Sequence, residues 1–214
     1  MTIRAGIFDL DGTLYFNDSL GREIGRVAAQ YIAMIKGIDQ QAAWQLIKET
    51  RRRLTAENGS EASLSLACET LGGDLRELHR WFSEKITPEA HLQREEQVIA
   101  VLSGLAARFP LYIYTNNNIS LTARIMAILG VSEFFTRVFT IEDDWEPKPN
   151  KATVEAIMAA IGRRPSECLF VGDRFDIDLR LPESMGAKVH LVTTLEDFLE
   201  LEKFDCGGNN ERNQ

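Results

Sequence analysis

The sequence predicts an α/β protein, a parallel β-sheet covered by helices on both faces, with an all-helical block inserted after the first strand. Three observations carry that reading. Short apolar runs, Leu111-Tyr112-Ile113-Tyr114 and Cys168-Leu169-Phe170-Val171 among them, alternate with helical stripes through the second half of the chain. Between the first such run and the second, residues 16–96 keep a helical period and contain no strand-like stretch. The 214 residues are 44% hydrophobic, enough core for one sizeable domain that carries a smaller one.

In chain order, the first strand is predicted over residues 4–9, where an apolar run stops at Asp9-Leu10-Asp11-Gly12-Thr13-Leu14. Ile24, Val27, Ala28, Tyr31, Ile32 and Ile35 fall on one helical face, and Gly37 ends that helix. Asp39 is a fitting N-cap for a second helix, with Trp44 and Ile47 turned inward. A third helix is predicted over residues 62–71, stopped by Gly72-Gly73, and Asp74 caps a fourth that faces Leu75, Leu78, Trp81 and Phe82 inward. Then Val98, Val101, Leu102 and Leu105 make a stripe before Pro110 and the second strand. A helix through Leu121, Ile125, Ile128 and Leu129 follows, then a short strand over 137–141 and a helix carrying Val154, Ile157, Met158 and Ile161. The fourth strand opens at Cys168 and the last covers 188–192; the Gly- and Asn-rich tail, 205–214, is predicted to be disordered.

Composition limits the partners. The formal net charge of -8 argues against nucleic acid or an acidic membrane surface. An anionic ligand must then be captured by local positive groups or by a bound metal. Cys68, Cys168 and Cys206 are far apart, odd in number and lack metal-ligand spacing, which fits a reducing compartment. The opening residues show no apolar signal segment, and no apolar run approaches the ~18 residues of a membrane span. The expectation is a soluble cytoplasmic monomer.

Parallel strands place their carboxyl ends on one edge of the sheet, because crossovers are right-handed. Those ends deliver Asp9 and Asp11, then Thr115 with Asn116-Asn117-Asn118, then Lys148 between two prolines, then Gly172-Asp173-Arg174-Phe175-Asp176-Ile177-Asp178. Ligands of open parallel sheets bind outside this edge. Carboxylates crowded together stay ionised only beside a cation, and oxygen ligands suit Mg²⁺, which binds through one or two carboxylates plus a substrate phosphate. Thr115 can donate to a phosphate oxygen, Lys148 can neutralise it, and backbone amides after Asn116 can add donors. Asp9 can attack phosphorus and Asp11 can protonate the leaving oxygen, so the set suits phosphoryl transfer.

D-L-D-G-T-L at 9–14, Thr115, Lys148 and G-D-R-F-D-I-D at 172–178 together resemble the four motifs of the haloacid-dehalogenase-like (HAD) hydrolases. The resemblance implies a three-layer Rossmann-like core from residues 1–15 and 97–204, with a helical cap from 16–96 between the first and second motifs. It implies Asp9 as nucleophile and Asp11 as acid/base. It also implies Mg²⁺ held by the Asp9 carboxylate, the Asp11 backbone carbonyl and Asp173, with the phosphoryl group held by Thr115, Asn116 and Lys148. Asp178 or Asp176 supplies the second acid of the fourth motif; the spacing to Gly186 favours Asp178 and leaves Asp176 open. The dehalogenases of the family lack the second acid of the first motif, so Asp11 favours phosphate chemistry.

The expected activity is therefore hydrolysis of a small phosphorylated metabolite. A phosphomutase shares the chemistry, and a phosphate-sensing switch shares the residue types, although receivers lack a long helical insertion. Outside the motifs, Arg51-Arg52-Arg53 reads as a solvated helix face, since successive helical residues point about 100° apart. His79, His91 and His190 are isolated and read as non-ligands; Trp44, Trp81 and Phe82 read as core. Tyr15 and Phe16 follow the first strand closely enough to line the crevice, and Arg174 is either an ion-pair partner or a ligand contact.

Overall fold

The computed structural model describes residues 2–204; the predicted disorder of 205–214 falls outside the described residues. In chain order the elements are β1 (Ala5–Phe8), α1 (Asp18–Lys36), α2 (Gln40–Asn58), α3 (Leu64–Thr70), α4 (Leu75–Lys85), α5 (Glu96–Ala106), β2 (Leu111–Tyr114), α6 (Ile119–Leu129), β3 (Phe135–Phe139), α7 (Lys151–Ile161), β4 (Cys168–Gly172), α8 (Arg180–Ser184), β5 (Lys188–Leu191) and α9 (Leu195–Leu199). All strand pairs are parallel, in the order β3-β2-β1-β4-β5. The chain therefore leaves β1 toward β2 on one side and returns to β4 on the other. That reversal puts the switch point of the sheet at the carboxyl end of β1.

Side chains alternate across a strand, and here both faces are filled. Phe8, Leu111, Ile113, Leu169 and Val171 join one buried cluster with α5, α6 and Phe198 of α9. Ala5, Ile7, Tyr112, Tyr114, Cys168 and Phe170 join the other, against Val154, Ile157 and Met158 of α7. Each Val, Leu, Ile or Phe so buried contributes roughly 1.5–3 kcal/mol before chain entropy is subtracted. Cys68 and Cys168 are free buried thiols. Among the described residues no helix is long and apolar enough to cross a membrane.

Helices α1–α4 lie between β1 and β2 in sequence, and Val27, Tyr31, Ile32, Ile47, Leu78 and Phe82 belong to the first of the two clusters. Gly37 ends α1, and Asp39, Ser63 and Asp74 cap α2, α3 and α4 by accepting from backbone N–H groups. The block is tied to the sheet domain at several places. Asn118 Nδ2 donates to His79 O at 2.9 Å. Arg124 of α6 reaches Ser83 O, Ile86 O and both oxygens of Glu89.

Some boundaries differ from expectation, and one turn is new. The third strand covers Phe135–Phe139 and not 137–141, because Thr140 caps a short 3-10 turn with Asp143 and draws Ile141 out of the ladder. Helix α3 starts at Leu64, after the Ser63 cap, and not at 62. After β4 the chain forms a π-helical turn, Phe175–Leu179, then α8. Neither has a signature in the sequence, since five residues are too few to show a period.

Candidate active site

The carboxyl ends of β1 and β4 leave the sheet side by side. Phe8 pairs with Val171, and Asp9 N donates to Val171 O at 2.8 Å. Asp9 is thus fixed at its backbone by the sheet, with its side chain buried. The loop after it doubles back, with Thr13 N and Leu14 N donating to Leu10 O. Gly12 sits in this loop at φ 79°, and a Cβ there would come within 2.5 Å of Asp173 Oδ2. A side chain would suffer both the left-handed backbone and the collision. Glycine lets the first and fourth motifs touch.

Lys148 closes the site from the β3 side. Its ammonium is 2.6 Å from Asp9 Oδ1 and 2.9 Å from Asp178 Oδ1, with 2% of the side chain exposed. Burial works against its charge, but Asp178 and Asp9 outweigh burial and push its pKa up. The loop bearing it is held by Asn116, whose Oδ1 accepts from Lys148 N at 2.9 Å.

Asp9, Asp173 and Asp178 each offer a carboxylate oxygen within 4.8 Å of the others. Burial raises Asp9 to about 7, opposed by Lys148 and reinforced by Asp178. Burial raises Asp173 to about 6, with Arg174 opposing and Asp178 and Asp11 adding to it. Arg174 Nε lies 3.4 Å from Asp173 and 3.9 Å from Asp178, and Asp178 accepts from Arg174 N at 3.2 Å. Arg174 thus forms ion pairs and lines the crevice as well.

The donor set fits a hard divalent cation. Asp9 Oδ2 and Asp173 Oδ1 are buried carboxylate oxygens with no hydrogen-bond partner, a costly state that a cation relieves. Four carboxylates, Asp9, Asp11, Asp173 and Asp178, face two cations, Lys148 and Arg174. Asp178 adds to the rise in both Asp9 and Asp173, a repulsion that a bound divalent cation offsets.

Asp11 stands outside that carboxylate group. Its two oxygens accept from the Tyr15 hydroxyl and, at 2.6 Å, from Asn117 Nδ2. Burial raises its pKa, and the hydrogen bond from Tyr15 offsets part of the rise. Thr115, buried at the end of β2, accepts from Asn117 N at 3.1 Å. The three asparagines divide their tasks: Asn116 holds the lysine loop, Asn117 holds Asp11, and Asn118 caps α6. The roles of Asn117 and Tyr15 as partners of Asp11 were not read from the sequence. A run of three asparagines at a strand end was the only signal.

The two candidates of the fourth motif separate. Asp178 is buried and shared between Lys148 and Arg174. Asp176, the open alternative, does not join the carboxylate group. It pairs with Arg180 Nε at 2.9 Å and accepts Glu61 N at 3.1 Å. The wide turn carries Asp178 back toward the sheet and leaves Asp176 on the side of the helical block.

Above these groups lies a cavity of about 580 Å³, with Gly12, Asn116 and Asp173 on one side and Ile24, Leu64 and Phe82 on the other. Tyr15 and Phe16 line it, as do Arg51, Ser65 and His79. Arg51 therefore departs from the solvated-face reading. It donates to Glu61 at 2.6 Å and to Ala62 O at 2.9 Å, while Arg52 and Arg53 are exposed. His79 is 1% exposed, lies 3.3 Å from Ser65 Oγ through Nε2, and is held down to about 4 by burial. Phe82 is both core and cavity wall.

The chain is similar to known proteins. The model of the haloacid dehalogenase-like hydrolase family matches residues 3–186. The chain is 32% identical to a phosphoglycolate phosphatase of Photorhabdus laumondii over 186 residues, 80% of this chain and 72% of that relative. It is 28% identical to a glyceraldehyde 3-phosphate phosphatase of Methanopyrus kandleri over 185 residues, 83% of this chain and 78% of the relative. The fold is shared with the magnesium-bound HAD-hydrolase YfnB of Bacillus subtilis, at a TM-score of 0.56 and 18% identity over 95% of this chain and 100% of that one. The protein belongs to the haloacid dehalogenase-like hydrolases, in their phosphatase branch.

Proposed function

We propose that this hydrolase is a Mg²⁺-dependent cytoplasmic phosphatase that cleaves a small phosphomonoester through an aspartyl-phosphate intermediate. The observation that carries the reading is the arrangement around Asp9. One of its oxygens is locked to a buried ammonium at 2.6 Å and the other is buried without a partner. A carboxylate so held is pre-positioned and loses little freedom on reaction.

In the first step an Asp9 oxygen attacks phosphorus and the bond from phosphorus to the ester oxygen breaks. Asp11, whose pKa burial raises, gives its proton to the departing oxygen, and the alcohol leaves. In the second step the Asp11 carboxylate takes a proton from water, the hydroxide oxygen bonds to phosphorus, and Asp9 is regenerated as inorganic phosphate departs. Lys148 and Thr115 bind the phosphoryl oxygens, with backbone amides after Asn116. Mg²⁺, held by Asp9, Asp173 and the Asp11 carbonyl with Asp178 beside it, would neutralise the phosphoryl charge when bound. The helical block acts as the cap that closes the cavity to water.

The test is release of phosphate from p-nitrophenyl phosphate. The expected result is turnover in Mg²⁺ that Asp9→Asn reduces to under about a tenth, given how much nucleophilic catalysis contributes. Persistent turnover in that variant removes Asp9 as nucleophile.

A further inference from the structure

The wall of the cavity facing the motifs belongs to the helical block, and its charge pattern bears on what the phosphate is attached to. Two cationic side chains line the cavity, and each already has a carboxylate. Arg51 is bound to Glu61 at 2.6 Å, and Arg174 lies beside Asp173 and Asp178. Asp11, Asp18, Glu61 and Asp173 line the same space, so acids outnumber bases there. The remaining polar groups on the far wall include Ser65 and His79, a hydroxyl and an imidazole 3.3 Å apart, and burial keeps that imidazole uncharged at neutral pH. Ile24, Leu64 and Phe82 complete the surface.

We propose that Glu61, by neutralising Arg51, is a specificity-determining residue that restricts this site to phosphate esters of small uncharged, hydroxylated alcohols and excludes those bearing a second anionic group. The proposal rests on the phosphatase reading. A leaving group with hydroxyls finds donors and acceptors at Ser65, while a carboxylate there meets an Arg51 already paired with Glu61. Discrimination of this kind comes from a repulsive element as much as from an attractive one. The backbone N–H of Glu61 is separately anchored to Asp176 Oδ2 at 3.1 Å, and Arg51 Nε to Ala62 O at 2.9 Å. Glu61→Gln therefore removes the charge while leaving both backbone bonds in place.

The experiment compares two esters of one carbon skeleton, hydroxyethyl phosphate and phosphoglycolate, which differ by a hydroxymethyl group against a carboxylate. The wild-type enzyme is expected to show a kcat/KM at least about tenfold higher for hydroxyethyl phosphate. Glu61→Gln, which uncovers the Arg51 cation, is expected to shift that ratio toward phosphoglycolate by about tenfold. A wild-type preference for phosphoglycolate overturns the proposal, and so does an unchanged ratio in a folded Glu61→Gln enzyme. Should the variant not fold, the wild-type ratio decides by itself. Hydrolysis of p-nitrophenyl phosphate that depends on Asp9 identifies the phosphatase independently, so a wrong substrate class is separated from a wrong reaction. No release from any of the three esters overturns both.

Discussion

The Lys148 ammonium and the Asp9 carboxylate form a buried ion pair at 2.6 Å between residues 139 positions apart. Taking both charges out of water is expensive, and Asp178 shares the cost by accepting at 2.9 Å. Replacing Lys148 by methionine leaves two buried carboxylates facing each other without their cation. Breaking such a pair from one side costs about 3–5 kcal/mol. Burial and Asp178 raise Asp9 to about 7 against the pull of Lys148, and its protonation relieves the repulsion, so the deficit is expected to shrink as pH falls. Urea unfolding of Lys148→Met and wild type at pH 8 and pH 5 checks this. Equal deficits at both would show that Asp9 does not feel the lysine charge. Phosphate release by the variant is expected to drop by about 10²–10³.

Asp11 is held at both oxygens by Tyr15 and Asn117, which suits a group that must meet the ester oxygen at one position. Asp11→Asn is expected to lower kcat by about 10²–10⁴ with KM little changed. The loss should be larger for an alkyl phosphate than for p-nitrophenyl phosphate, because nitrophenolate leaves without a proton. An unchanged kcat with a raised KM would move Asp11 from the chemistry to binding.

Much of this site is visible in the sequence because its parts sit where strands end. Asp9 follows β1, Thr115 follows β2 and Asp173 follows β4, and an apolar run that stops at a polar residue can be seen without a structure. What could not be seen depends on contacts across the fold. Asn117 and Asp11 are 106 residues apart, and Arg51 turns toward the cavity only because Glu61 and Ala62 O hold it. The choice between Asp176 and Asp178 is set by a π-helical turn, whose wider winding has no signature in five residues. Thr140 and Ile141 have strand-like side chains, so the sequence pattern runs two residues past the third strand's observed end at Phe139. The Asp143 cap overrides that propensity.

Metal removal provides a stability test as well as an activity test. With Asp9 and Asp173 each offering a buried oxygen that accepts no hydrogen bond, Mg²⁺ at a hundredfold excess over its dissociation constant should stabilise the fold by about 2.7 kcal/mol. Chelation should abolish phosphate release, and Asp173→Asn should weaken the Mg²⁺-dependent rise in melting temperature. Full activity in chelator, or a melting temperature indifferent to Mg²⁺, would remove the cation from the site.

Asp176 joins the fourth motif to the helical block through Glu61 N. Its pair with Arg180 is near the surface, where such pairs contribute about 0–1 kcal/mol. Asp176→Ala is therefore expected to leave the melting temperature within a few degrees of wild type. Losing the bond to the helical block should loosen closure and raise KM several-fold. A variant with wild-type KM would make Asp176 a surface ion-pair partner and nothing more.

His79 sets a pH limit of its own. Its imidazole is 1% exposed and burial lowers its pKa from 6.5 to about 4. Between those values the unfolded chain binds a proton that the folded chain refuses. Stability therefore rises with pH through this window and is lost as pH falls from 6.5 toward 4. The full effect is on the order of 3 kcal/mol, at 1.36 kcal/mol per unit. His79→Gln takes that titration away whatever it does to packing, so the readout is the slope of stability against pH and not its level. Urea midpoints measured from pH 7 to pH 4 should fall more steeply for wild type than for the variant. Parallel slopes would mean that the ring reaches a partner or solvent on protonation.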